Sequence, residues 1–165
     1  MFENVAGLPL DLPHPARKAL IAAGIDWHDE HVAEAHVQHA LMLAPEALAT
    51  RIGAYKFYFY RHRLQEALPH AFSVLEMAAK RLQLPHDWRL VSGHHAGFDE
   101  IEPWPRLFLQ ALIAYGYCLV RLGRMEEGRA ALAKAMELDG SDKLGAGRLV
   151  AVIDRGGLDE DEDGD

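Results

Sequence analysis

Apolar positions recur at helical spacing along most of the chain, and the recurrence itself repeats. Residues 109–142 carry Leu112, Tyr115, Gly116 and Leu119 on one stripe. A break at Gly123 and Arg124 separates them from a second stripe of Gly128, Leu132, Ala135 and Met136. Apolar side chains three and four apart form one face of an amphipathic helix, so the spacing predicts two helices joined by a turn. The pattern returns over 48–81, with Ala54, Tyr55 and Tyr58 on a first helix and Leu64, Ala67, Ala71, Val74 and Leu75 on a second. It returns once more over 14–47, through Ala33, Val37, Ala40, Leu41, Leu43 and Pro45. The first two units lie 34 residues apart, as from Ala33 to Ala67 and from Ala40 to Val74. The third is displaced by 61, one further repeat and an insertion of 27 residues at 82–108.

A helical hairpin cannot bury its apolar face alone, so about three must stack. The first unit opens with a short helix near Pro15–Ala23 that Gly24 is expected to end. Pro69 is expected near the first turns of its helix, where a missing N–H costs less than in the middle. After the third unit, 143–154 alternates at helical spacing and predicts a capping helix over the exposed end of the array. No stretch reads as a strand. The expectation is an all-α protein: an α-solenoid of about three helical hairpins with an inserted loop and a C-terminal capping helix, one domain over 1–157.

These residues resemble the tetratricopeptide (TPR) pattern of large, large-Gly, aromatic, then small, large, Ala and Pro. Gly116, Gly128 and Ala135 stand where that pattern wants small residues and the paired helices approach. The phrase HALMLAP, His39–Pro45, is similar to the end of a second TPR helix. The resemblance implies a concave groove lined by the first helices. It assigns to it Ala49, Ile52, Lys56, Phe59 and Tyr60, then Gln110, Ile113, Tyr117, Val120 and Arg121, with Lys18 and Ala22 from the weaker first unit. Such a surface, aromatic with a few cations, suits an extended or helical peptide with apolar and acidic residues. A helix cannot bury all six consecutive positions of YKFYFY, Tyr55–Tyr60, on one face, so at least two of Phe57, Tyr58, Phe59 and Tyr60 are expected to point away from the hairpin contact. A TPR subclass that grips chaperone tails is not matched: Ala22 and Lys56 stand where asparagines belong, and the chain's one Asn is Asn4.

A narrower resemblance runs from Arg51 to Ala71, RIGAYKFYFYRHRLQEALPHA, which looks like short TPR-type accessory factors of bacterial nitrogenase. It implies a partner in the molybdenum–iron component and a protein that carries no cofactor of its own.

Charge changes the picture only at one end. The net charge is −8, but 158–165, LDEDEDGD, holds six acids and no base, leaving 19 acids and 17 bases over 1–157. An acidic end of this kind is a solvated tail or an arm that seeks a basic patch. With cations clustered only at Arg61-His62-Arg63, nucleic-acid binding is disfavoured. The opening MFENVAGLPLDLP lacks a cationic stretch followed by an apolar run, no window reaches eighteen apolar residues, and Cys118 is the one cysteine. A cytoplasmic protein without a membrane segment is expected.

The insertion is aromatic at both ends, through Trp88 and Trp104, and holds adjacent His94 and His95 and the run Asp99-Glu100-Ile101-Glu102. Loops this long are functional or cover part of the fold, so both tryptophans join the partner-binding candidates. Ten histidines raise a rival: His28, His31, His36 and His39 pair at i,i+3 beside Asp29, Glu30 and Glu34, a geometry open to a zinc-like ion. A metal- or ligand-binding protein using these histidines or His94 and His95 is the alternative to an adaptor, and a self-associating scaffold is another. GxGxxG, P-loop, GxSxG and HExxH patterns are absent, and Cys118 lies amid apolar neighbours. The sequence points to a non-enzymatic, partner-binding protein.

Overall fold

In a computed structural model, which describes residues 8, 10–98 and 102–155, the chain forms seven α-helices and one 3-10 turn, with no strand among the described residues. The helices are α1 (His14–Ile25), α2 (Glu30–Leu43), α3 (Leu48–Tyr60), α4 (Leu64–Arg81), α5 (Pro103–Arg121), α6 (Met125–Leu138) and α7 (Ala146–Asp154). The acidic stretch 158–165 and residues Asp99, Glu100 and Ile101 lie outside the described residues. No helix among the described residues is long and apolar enough to cross a membrane.

Three hairpins, α1–α2, α3–α4 and α5–α6, stack in order through α2 on α3 and α4 on α5, and α7 closes the array against α6. This is an all-α, solenoid-like succession of helical hairpins. The first two hairpins fall within the units expected at 14–47 and 48–81, and α7 falls within the expected cap. The main core runs along α3, α4, α5 and α6 and includes Ile52, Val74, Phe108, Leu112 and Leu119, all fully buried. Each such side chain contributes about 1.5–3 kcal/mol through the apolar area it removes from water.

The third hairpin holds the closest helix approach. A Cβ on Gly128 would sit 2.7 Å from the Gly116 carbonyl oxygen and 2.7 Å from the Val120 backbone nitrogen. One on Gly116 would meet Leu132 Cγ at 2.9 Å and the Gly128 carbonyl at 3.0 Å. The two glycines let α5 and α6 touch backbone to backbone, as their place in the repeat anticipates.

The hairpin turns repeat as well. After α3, Arg63 N–H donates to the Tyr58 carbonyl at 2.9 Å and His62 to that of Phe59 at 3.1 Å. After α5, Arg124 and Gly123 make the equivalent bonds to Leu119 and Val120 at 2.8 and 3.1 Å. This six-to-one closure needs a left-handed residue, and Gly123 supplies it at φ 90°. His62 occupies the same place at φ 59° with a Cβ that disfavours it. Replacing His62 by Gly is expected to stabilise the protein by about 0.5–1 kcal/mol; an unchanged or lower melting temperature would contradict the strain assigned to this turn.

Two boundaries differ from the sequence reading. Gly24 does not end α1: it lies inside the last turn, Ile25 follows, and Asp26 caps the helix through its N–H to the Ala22 carbonyl. Pro69 is the sixth residue of α4, near the start of the helix, which forgoes one backbone bond there. The third hairpin begins at Pro103, not 109, and the insertion shrinks to 82–102. Pro103 and Pro105 read as loop residues, but first-turn N–H groups have no acceptor within the helix, so prolines there cost nothing.

Candidate functional site

Five of the sequence-assigned residues surround a single hollow between the first helices of the second and third hairpins. Lys56, Phe59 and Tyr60 on α3 face Gln110 and Ile113 on α5 across an open cavity of about 220 Å³, and Leu144, from the α6–α7 connection, completes its wall. Among the described residues the lining contains one cation, Lys56, and no carboxylate. Tyr60 is 63% exposed, whereas Tyr55, Phe57 and Tyr58 are buried in the packing of the same helix. Phe59 is half-buried. The aromatic run therefore divides as helical geometry requires, with Phe59 and Tyr60 turned out of the hairpin contact.

Tyr117 and Arg121 continue the surface. The Tyr117 ring lies 5.5 Å from that of Phe59. One turn on, Arg121 donates from Nη1 to the Tyr117 hydroxyl at 2.5 Å and holds its guanidinium 5.5 Å from the ring centroid. The surface is narrower than the repeat pattern implies. Ala49, Ile52 and Val120 are sealed: Ala49 against Ala19 and Leu20, Ile52 in the main core, and Val120 against Leu132 and Val150.

The two tryptophans of the insertion are not part of it. Trp88 heads the turn Trp88–Leu90, where the Asp87 carboxylate accepts from the Arg89 N–H at 3.0 Å. Its ring is only 6% exposed and packs edge-on to Tyr115 at 6.4 Å. Trp104 is half-buried in the first turn of α5, with the Arg81 guanidinium 5.6 Å from its ring. Val91 and Phe98 are buried too, Phe98 against Phe108 at 5.9 Å, and Lys134 donates to the Val91 carbonyl at 2.8 Å. The insertion is a cover pinned to α5 and α6, and Trp88 belongs to the core.

The histidines of the alternative reading do not converge. Among the described residues no three His, Cys, Asp or Glu side chains are placed to hold a metal ion. His36 Nε2 lies 3.0 Å from the Asp26 carboxylate, while His28, His31 and His39 are exposed. The neighbouring acids are engaged elsewhere: Asp29 caps α2 by accepting from the Val32 N–H at 3.2 Å, and Glu34 accepts from Tyr58 on α3 and from Arg63 in the turn that follows. Cys118 is fully buried, and burial pushes its thiol up to about 12, so it is protonated and unreactive at neutral pH.

One constellation escaped the sequence reading. Glu34 on α2 accepts from both Nη atoms of Arg63 at 2.8 and 3.0 Å and from the Tyr58 hydroxyl at 2.7 Å, while Gln38 donates to that hydroxyl at 2.6 Å. His70 stacks on the Tyr58 ring at 5.9 Å and lies 3.3 Å from Arg51. The Arg63 fork holds the Glu34 carboxyl below its ordinary value, with Tyr58 adding to the effect, against an opposing push from burial. Burial, then the Arg51 charge, lowers His70. Glu34 and Gln38 join the first hairpin to the second through Tyr58 and Arg63, while His70 packs on Tyr58 and Arg51 within the second hairpin.

Over 149 residues the chain is 36% identical to a protein of Azotobacter chroococcum mcd 1 described as an uncharacterized 19.8 kDa protein in the nifW 5′ region. The alignment covers 90% of this chain and 84% of that relative. The chain belongs to the family of that protein. No family model matches it, so the tetratricopeptide resemblance rests on its own residues and hairpins. No solved structure matches it either.

Proposed function

We propose that this protein is a non-catalytic accessory factor of nitrogen fixation, a TPR-type adaptor that holds a partner protein in the α3–α5 groove. The observation that carries the reading is the open hollow that gathers Lys56, Phe59, Tyr60, Gln110 and Ile113, continued by Tyr117 and Arg121. Exposed tyrosine beside arginine and lysine, in a concavity with no acid among its described lining residues, is the surface composition that dominates binding energies at protein interfaces. The occupant it suits is a segment of mixed apolar and acidic residues, whose carboxylates meet Lys56 and Arg121 while its apolar side chains cover Phe59 and Ile113.

The nitrogen-fixation context comes from two directions. The relative lies in a nifW 5′ region, and residues Arg51–Ala71 resemble nitrogenase accessory factors. Together they favour the molybdenum–iron component of nitrogenase as the partner.

The test is direct binding of purified molybdenum–iron component to immobilised wild-type protein and to a Tyr60→Ala/Arg121→Glu double variant. Tyr60 is exposed, so its loss leaves the core intact. The variant is expected to bind at least tenfold more weakly, about 1.4 kcal/mol. Equal binding by the two proteins would remove the groove from the interface, and no binding by either would remove this partner.

A further inference from the structure

The most highly charged segment of the chain, 158–165, has no place in the adaptor reading. We propose that it docks in the α3–α5 groove of its own chain, as a stand-in that the partner must displace; the inference rests on that groove being the partner site.

Three observations converge. The first is chemical. LDEDEDGD offers one apolar side chain, Leu158, and six carboxylates. The groove offers Phe59, Ile113 and Leu144 as apolar wall, Lys56 within it, Arg121 beyond it, and no lining carboxylate among the described residues. The body of the chain is close to neutral, 19 acids to 17 bases over 1–157. It presents no general positive field to collect such a segment, and local complementarity must select the place.

The second is distance. Leu144 forms part of the groove wall, and α7 starts two residues later at Ala146. Nine helical residues advance the chain by only about 14 Å. Residues 156–165 can span at most about 33–36 Å, more than enough to return along α7 to the hollow. The third is the tether. A short connection gives an effective concentration in the millimolar range, so even weak docking fills the groove until a tighter ligand arrives.

A fluorescein-labelled peptide of residues 156–165 is the probe, titrated at 50 mM NaCl into two full-length proteins. One is native; the other carries amides in the tail (Asp159→Asn, Glu160→Gln, Asp161→Asn, Glu162→Gln, Asp163→Asn, Asp165→Asn). The neutralised chain is expected to bind the peptide at least fivefold more tightly than the native chain, whose groove is already occupied. Adding Lys56→Glu and Arg121→Glu to the neutralised chain is expected to abolish binding, with Tyr60→Ala as a second variant that leaves the fold untouched.

Equal binding by native and neutralised chains overturns the inference. So does binding that ignores the groove substitutions, and so does a difference that vanishes as the protein is diluted, which would seat the tail on a second copy. The same pair of proteins separates this idea from its alternative on the molybdenum–iron component. Neutralising the tail is expected to strengthen partner binding; weaker binding would mean that the tail contacts the partner directly. Partner binding that depends on Tyr60, combined with a peptide indifferent to the groove, defeats this inference alone. Partner binding indifferent to Tyr60 defeats the groove reading beneath it.

Discussion

Replacing Gly128 by Ala is expected to destabilise the protein by about 3 kcal/mol, which for a domain of this size lowers the melting temperature by roughly 10 °C. The new methyl would sit 2.7 Å from the Gly116 carbonyl oxygen, the Val120 nitrogen and the Val120 Cγ2. Two of these three atoms are backbone, and no rotamer change moves them away. The helices α5 and α6 must separate, and separation loosens Leu132, Ala131 and Ala135, all fully buried. Gly116→Ala is expected to cost less, because its nearest neighbour, at 2.9 Å, is a leucine side chain that can shift, although the Gly128 carbonyl stands at 3.0 Å. Gly24→Ala supplies the control. Nothing lies within 4 Å of its added methyl, its φ is not left-handed, and Gly24 sits inside α1. Alanine there should stabilise by about 0.5–1 kcal/mol through helix propensity alone. Thermal melts of the three variants give the ranking. A Gly128→Ala protein that melts within 2 °C or so of the native one would mean that α5 and α6 do not cross as described.

The same glycines show what a single sequence can reveal. A helical hairpin that nests closely needs small residues at fixed positions, and this requirement left Gly116, Gly128 and Ala135 visible in the 34-residue recurrence. The division of Tyr55–Tyr60 between core and groove was equally legible, because 3.6 residues per turn leaves no other arrangement. What lay outside the recurrence was not legible. Trp88 looked like a contact residue because a unique loop carries no periodic signal to say which face its aromatics seek; the fold tucks it against Tyr115. The prolines at 103 and 105 hid the first turn of α5 for a different reason: composition reads Pro as a breaker without knowing where the helix starts. Ala49, Ile52 and Val120 match the repeat's groove positions but are covered by neighbours the pattern does not specify.

The network around Glu34 was invisible for a third reason, and it carries the second large effect. Its members, at 34, 38, 58, 63 and 70, come from three helices and a turn, and no spacing along the chain pairs them before the hairpins are stacked. Glu34→Ala is expected to cost about 2 kcal/mol. It removes the acceptor of a two-pronged arginine contact and leaves the Tyr58 hydroxyl, in a residue only 2% exposed, with Gln38 as its remaining partner. Arg63→Lys should lose much of the same stabilisation, since an ammonium cannot present two parallel donors to one carboxylate.

The pH dependence follows from the directions of the shifts. The folded state lowers the Glu34 carboxyl below its ordinary 4.5, so its contribution is complete above that value and fades as pH falls below it. His70 is likewise lowered, from an ordinary 6.5, by burial among Tyr58 and the Arg51 charge. Its contribution is complete above pH 6.5 and fades below, as the folded state resists a proton that the unfolded chain accepts. Both act in one direction, so stability should fall in two stages on acidification, first where His70 packs α4 on α3 and then where Glu34 ties the first hairpin to the second. Melting curves from pH 8 to pH 3 should show a first decline below about 6.5 that His70→Gln reduces, and a second below about 4.5 that Glu34→Gln reduces. Because α1 and α2 reach the rest of the array chiefly through α3, amide exchange in those two helices should rise with the second decline. Uniform exchange across all seven helices at about pH 4, or declines unmoved by either substitution, would take these two groups out of the contacts assigned to them.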